Sequence, residues 1–214
     1  MTDDAGSLVG ELAQLPALPH TFNPYRDVCP TYDVPDAAAI RRENVRALLA
    51  RAATLDGIDV WIGREPGYLG ARRTGVALTD EAHLAGYADL MGVSLRRATH
   101  TDALRREISA SGIGRALATI GRPVFLWNIC PLHTHQPDEP MSNKEHSRDA
   151  AALSRPILMA VLNVVRPRRV IALGDTAHKE LTRLGLTATK IRHPAARGAK
   201  RLEFFSQVEA LYRS

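Results

Sequence analysis

A carboxylate, an amide and an imidazole stand at three distant points of this 214-residue chain, each just after a short apolar run. The first lies in Gly63-Arg64-Glu65-Pro66-Gly67-Tyr68. Two glycines and a proline favour a tight turn whose backbone amides approach a ligand, and Glu65 in such a turn can orient or deprotonate a water. The same hexapeptide also suits an ordinary strand-to-loop turn with a solvated acid. The second lies in Trp127-Asn128-Ile129-Cys130-Pro131. The Asn128 amide offers an acceptor beside two donors, a match for a pyrimidine edge with its N–H next to a carbonyl; an asparagine that only ends a strand is the plainer alternative. The third is Arg192-His193-Pro194-Ala195-Ala196-Arg197-Gly198. There His193 can donate a hydrogen bond to an anion developing on a leaving group, although the His-Pro pair is common. His133 and His135 lie near Cys130, but no convincing third and fourth ligands accompany them, so solvated loop histidines without metal are expected.

These groups need a scaffold. Ile40, Leu48, Leu49 and Leu55 set a helical period over residues 36–55. Apolar bursts at 58–62 and 124–129 read as buried strands, 170–173 as a third strand and 187–192 as a fourth. Between them, Thr79 is expected to cap a helix that Gly92 ends, and residues 101–120 to form a helix broken near Gly112 and Gly114. Residues 131–140 read as a loop. Ser142 and Glu145 have capping-box spacing before a helix that Pro156 interrupts or restarts. Helices are also expected over 176–184 and 202–212. The first 35 residues, with five prolines, read as a short helix and an irregular arm. Strands alternating with helices predict an α/β fold with parallel pairing and helices on both sheet faces. Residues 1–214 are then one domain, with its site at the carboxyl ends of the strands.

Composition narrows the partners. The net charge is +5, but residues 1–140 hold 14 basic and 17 acidic residues, whereas residues 141–214 hold 14 and 6. The densest stretch, 190–201, contains Lys190, Arg192, Arg197, Lys200 and Arg201 and no acid. This is the footprint of a phosphate-backbone partner, or simply the mark of a chain with 24 arginines. No apolar run is long enough for a membrane span, and the amino-terminal residues lack the pattern of a secretory signal. Two cysteines build neither a disulfide framework nor a four-thiolate cluster. A reducing cytoplasm or nucleoid is the expected compartment, and a monomer the expected state.

Taken in order, the three motifs resemble the uracil-DNA glycosylase superfamily. Its pattern is a Gly-x-(acid, Asn or Ala)-Pro turn, an asparagine ending the second strand, and a late His-Pro-(Ser/Ala) turn. Here these are Gly63-Arg64-Glu65-Pro66, Asn128 and His193-Pro194-Ala195, the three side chains standing 63 and 65 positions apart. The resemblance implies a three-layer α/β/α sandwich around a four-stranded parallel sheet. It implies hydrolysis of the N-glycosidic bond of deoxyuridine in single- or double-stranded DNA, after the nucleotide is turned out of the stack. Glu65 would position water and stabilise the cationic sugar, and His193 would stabilise the uracil anion. Asn128 would read the base, within a pocket that includes Gly63 and Arg64, and Tyr68 would exclude the thymine methyl. Arg192, Lys200 and Arg201 would contact phosphates, with Arg197 at the wedge position. No metal or organic cofactor is implied. The chain departs from the pattern at Leu78, where most branches stack a phenylalanine on the base; Phe22, Tyr25 and Tyr68 are the candidate substitutes. An inactive DNA-binding module, and a glycosylase for other deaminated bases, remain alternatives. A nucleotide hydrolase is disfavoured, because neither a P-loop nor a Gly-x-Ser-x-Gly element is present.

Overall fold

A computed structural model describes residues 2–100, 103–196 and 198–213. Helix α1 (Thr2–Gln14) leads into a two-residue strand, β1 (Thr21–Phe22), and then α2 (Ala37–Ala53) and β2 (Asp59–Gly63). Three helices follow, α3 (Ala71–Thr74), α4 (Leu84–Met91) and α5 (Ile108–Ile120), before β3 (Val124–Asn128) and the short β4 (His133–Thr134). The chain ends with α6 (Arg148–Val165), β5 (Arg169–Leu173), α7 (Asp175–Arg183), β6 (Thr189–Ile191) and α8 (Ala199–Tyr212).

The main sheet is parallel throughout and has the order β3-β2-β5-β6. Every residue of β2 and β3 is buried, as expected where both faces of a parallel sheet are covered. Trp61 of β2 packs on Phe204 and Tyr212 of α8. Asp59, at the entry of the same strand, is tolerated in the core because Arg169 clasps both its oxygens, at 3.0 and 2.6 Å. The connection from β2 to β3 runs one way across the sheet, and those from β3 to β5 and β5 to β6 run the other way. Right-handed crossovers therefore put α5 on one face and α6 and α7 on the opposite face. The packing agrees: α8 lies against α5, while α1 and α2 lie against α6. The order reverses between β2 and β5, so a crevice opens beyond their carboxyl ends.

Several local expectations change. The helix expected from Thr79 begins at Leu84, because Asp80 and Glu81 are buried and bonded elsewhere. Asp80 accepts from the backbone of His83 and Glu107, and Glu81 from the backbone of Arg105. Helix α5 runs unbroken through Gly112 and Gly114. A Cβ at these glycines would stand 3.0 Å from Pro194 and 2.7 Å from His83, so they serve close packing. Ser147, not Ser142, caps α6, accepting from the Ala150 amide at 3.2 Å, and Pro156 lies inside that helix without ending it. The loop after β3 contains β4, which pairs antiparallel with β1.

Candidate active site

The ladder between β2 and β3 places Gly63 beside Asn128 and continues past both strands. Ile129 N–H donates to Gly63 O and Cys130 N–H to Arg64 O, each at 2.9 Å. The chain then turns away at Glu65-Pro66. The Pro66 carbonyl is held at 2.9 Å by Nδ1–H of His133, which is fully buried. Burial lowers the pKa of His133 to about 4, so this imidazole is neutral at physiological pH. His133 is thus a structural donor to the turn, in contrast to the solvated loop histidine expected; His135 is half-buried beside it. Among the described residues no cluster of His, Cys, Asp and Glu has the makings of a metal site.

A cleft of about 450 Å³ opens above the turn, between the ends of β2, β5 and β6. Arg64, Glu65, Leu78, Glu107, Gly174 and His193 are among the residues that line it. Glu65 is nearly buried. Its Oε1 accepts from Arg64 Nε, and its Oε2 lies 2.7 Å from His146 Nδ1. His193 enters from the end of β6, its Cβ 3.3 Å from where a Cβ on Gly174 would stand. Its Nδ1 accepts from the Ala195 amide at 3.2 Å, which leaves the neutral ring with its proton on Nε2. Desolvation and then the charge of Arg64 lower its pKa, against the opposing pull of Glu65. The ring is therefore a neutral donor at the cleft.

Asn128 lies below this surface rather than on the cleft wall. Its side chain is buried, and its Oδ1 has no hydrogen-bond partner among the described residues. A Cβ on Gly63 would come within 2.7 Å of that oxygen and 2.8 Å of Leu78 Cδ2, so Asn128 and Leu78 share the space in front of Gly63. Leu78 holds a left-handed backbone, φ 56°, which costs a β-carbon-bearing residue roughly 1–2 kcal/mol.

The remaining candidates divide. Tyr68 is half-buried, and its amide donates to Asn143 Oδ1 at 2.9 Å; it is not among the cleft-lining residues. Phe22 packs beneath the Arg72 guanidinium and Tyr25 donates its hydroxyl to Gly75 O, so neither of these substitutes lines the cleft. The basic stretch is less free than its sequence implies. Lys190 pairs with Asp175 at 2.9 Å and Arg192 with Glu203 at 2.8 Å. Lys200 and Arg201 are exposed on the first turn of α8, and Arg197 falls outside the described residues.

Two carboxylate-site residues escaped the sequence reading. His146 carries no spacing signal, being 81 residues from Glu65. Glu107 faces Glu65's cleft from the entry to α5, and burial, aided by the charge of Asp80 and opposed by a Ser109 bond, raises its pKa.

Comparison with known proteins points in one direction. A family model described as the uracil DNA glycosylase superfamily matches residues 60–212. The crystal structure of wild-type Pedobacter heparinus SMUG2 is similar over 99% of each chain, with a TM-score of 0.62 and 16% identity. Comparison with curated proteins yields no match.

Proposed function

The chain belongs to the uracil DNA glycosylase superfamily, and from that premise we propose that it removes uracil from DNA by hydrolysing the N-glycosidic bond of deoxyuridine. The observation that carries this reading is the pairing across one cleft of a fixed carboxylate, Glu65, with a neutral imidazole donor, His193. A deoxyuridine turned out of the duplex enters this cleft, at an unstacking cost of a few kcal/mol. As the bond from C1′ to N1 lengthens, positive charge grows on the sugar and negative charge on the base. The Glu65 carboxylate stabilises the first and orients the attacking water. Nε2–H of His193 donates to the uracil O2, where the second accumulates. The water oxygen bonds to C1′, its proton passes to the carboxylate, and the electron pair of the broken bond leaves with uracil. A neutral donor suits this step, since it need not surrender a proton to stabilise the anion.

Base recognition falls to Asn128. Its Oδ1, a buried acceptor without a partner among the described residues, lies behind the cleft wall beside Leu78, so the base reaches it only as Leu78 gives way, and such an atom costs about 1–3 kcal/mol until it is satisfied. N3–H of uracil supplies the donor, and the amide N–H₂ reaches O4. Leu78 lies against the base where an aromatic ring would stack. Lys200 and Arg201 meet the DNA phosphates, and the enzyme acts as a monomer in the cytoplasm or nucleoid.

The test uses oligonucleotides carrying uracil, hypoxanthine or xanthine, treated with the protein and then with alkali. Strand cleavage at uracil is expected. Glu65→Gln should slow it by about 10²–10⁴-fold, the usual range for loss of a positioned acid–base group. Cleavage only at the purine lanes moves the substrate to another deaminated base. No cleavage in any lane removes the glycosylase reading.

A further inference from the structure

The segment from Pro140 to Ser147, between β4 and α6, is stitched to the turn that follows β2. Arg72 Nη1 donates to the Pro140 carbonyl, and the Tyr68 amide to Asn143 Oδ1. Arg64 Nη1 lies 3.5 Å from Glu145, and His146 Nδ1 lies 2.7 Å from Glu65 Oε2. The other edge of the segment is fixed as well, for the Lys144 amide donates to Thr134 O and Thr134 Oγ1 to Lys144 O. These contacts form a strap along one side of the cleft, and His146 is the point at which it touches a group that does chemistry.

His146 is well placed to be held there. Its side chain is only 7% exposed. The residue directly precedes Ser147, the N-cap of the 18-residue helix α6, so the ring stands on the firm end of a long element. Its own amide also faces Glu65 Oε2, at 3.4 Å. The carboxylate therefore has Arg64 on one oxygen and His146, with the positive end of a helix dipole behind it, on the other. A carboxylate bonded at both oxygens keeps one rotamer and one plane, while its remaining lone pairs stay available to a water. A free glutamate would have to be ordered at each turnover, and misplacement by about 1 Å can cost about 10²-fold in rate.

We propose that His146 is a positioning residue for the reaction: its Nδ1–H fixes the Glu65 carboxylate in the plane from which that carboxylate holds the attacking water. The proposal rests on the glycosylase reading of Glu65. It assigns His146 no contact with DNA, so its effect falls on the chemical step rather than on binding.

The experiment compares His146→Phe, which keeps a ring and loses the donor, with His146→Asn, whose amide N–H₂ lies close to where Nδ1 stood. Single-turnover uracil release, DNA affinity and thermal midpoint are measured for both, and for Glu65→Gln with and without His146→Phe. His146→Phe should slow release ten- to a hundredfold, with affinity and midpoint held. His146→Asn should recover most of the rate. In the Glu65→Gln background, His146→Phe should add less than a twofold further loss, because nothing remains to position. Wild-type rates in His146→Phe overturn the proposal. So does a full multiplicative loss in the double variant, or a parallel fall in affinity and midpoint. A measurement without turnover stands beside these: the imidazole ¹⁵N resonances of His146 should report a proton on Nδ1 and should shift in Glu65→Ala. Unchanged resonances overturn the pairing itself. An intact pairing in a wild-type protein that releases no base overturns the glycosylase reading, and the positioning role of His146 with it.

Discussion

The neutral, buried His133 beneath the Glu65 turn makes acid stability a quantitative test of how that turn is held. Its pKa falls from 6.5 to about 4 on folding, because burial opposes the charged ring. Above pH 6.5 the folded and unfolded chains both carry a neutral imidazole, and the group is without effect. As the pH drops below 6.5 the unfolded chain takes up a proton that the folded chain refuses, so stability is lost progressively down to about pH 4. At about 1.4 kcal/mol per pH unit, the loss across that window is about 3 kcal/mol. For a chain of this length that is a fall of roughly 6–12 °C in melting temperature. His193, with its lowered pKa, acts in the same direction, whereas Glu107, with its raised pKa, acts in the opposite one. His133→Asn isolates the contribution of this one ring: it keeps an N–H for Pro66 O, removes the titration, and leaves the other two groups in place. Urea unfolding of both proteins from pH 7.5 to 4.5 should give curves that diverge below pH 6.5, the variant losing less. Curves that stay parallel over that range would refute the account of a buried, neutral His133.

Two further outcomes follow from the same surfaces. Gly70→Ala places a Cβ 1.9 Å from Glu107 Oε2, the far end of a flexible side chain that must swing aside, so the cost should lie at or below the lower end, about 1 kcal/mol, of core overpacking; a thermal melt should show that small loss, and adding Glu107→Ala should remove it. On the proposed reading of the base, Asn128→Asp replaces an amide donor to O4 with an acceptor; uracil release should fall about 10–100-fold, the effect of one buried unsatisfied group, and discrimination against cytosine should weaken. An unaltered ratio of uracil to cytosine release would take Asn128 out of base recognition.

The fold was readable because its signals are local. Three of the four main strands are short, largely apolar runs, β6 being a mixed edge strand, and alternation with helices dictates parallel order. The four-stranded parallel sheet and the meeting of Glu65 and His193 at its carboxyl end follow from that order, whereas the register that sets Gly63 beside Asn128 is visible only in the structure. What stayed hidden depends on partners far away in sequence. Asp80 and Glu81 look like a helix start, but Asp80 Oδ2 and both Glu81 oxygens are taken by Thr99, Arg105 and Glu107. Pro156 looks like a break, but α6 is long and packed against α1 and α2, so it absorbs one missing hydrogen bond. The basic stretch looks uncompensated until α7 and α8 bring Asp175 and Glu203 to it. No periodicity predicts a contact between Glu65 and His146, since the strap joins two loops.

The glycines of the Glu65 turn show how a correct motif can carry the wrong physical reason. The sequence suggests that they supply backbone freedom for a tight turn. Yet Gly63 and Gly67, like Gly70 just beyond the motif, are absent from the positions with positive φ, where a β-carbon would be strained. Their shared property is space. A Cβ would collide with Asn128 Oδ1 at Gly63, and with the Glu107 carboxyl at Gly67 and Gly70, at 2.7, 2.2 and 1.9 Å. The turn is bare so that an amide and a second carboxyl can close on it from the β3 and α5 sides. Glu65 then sits on a backbone gripped by Asn128 below, by Glu107 along its outer curve, and by His133 at Pro66. Its rigidity is thus supplied from three other elements, and a substitution at any of these glycines should act on the position of Glu65 before it acts on the turn's own conformation.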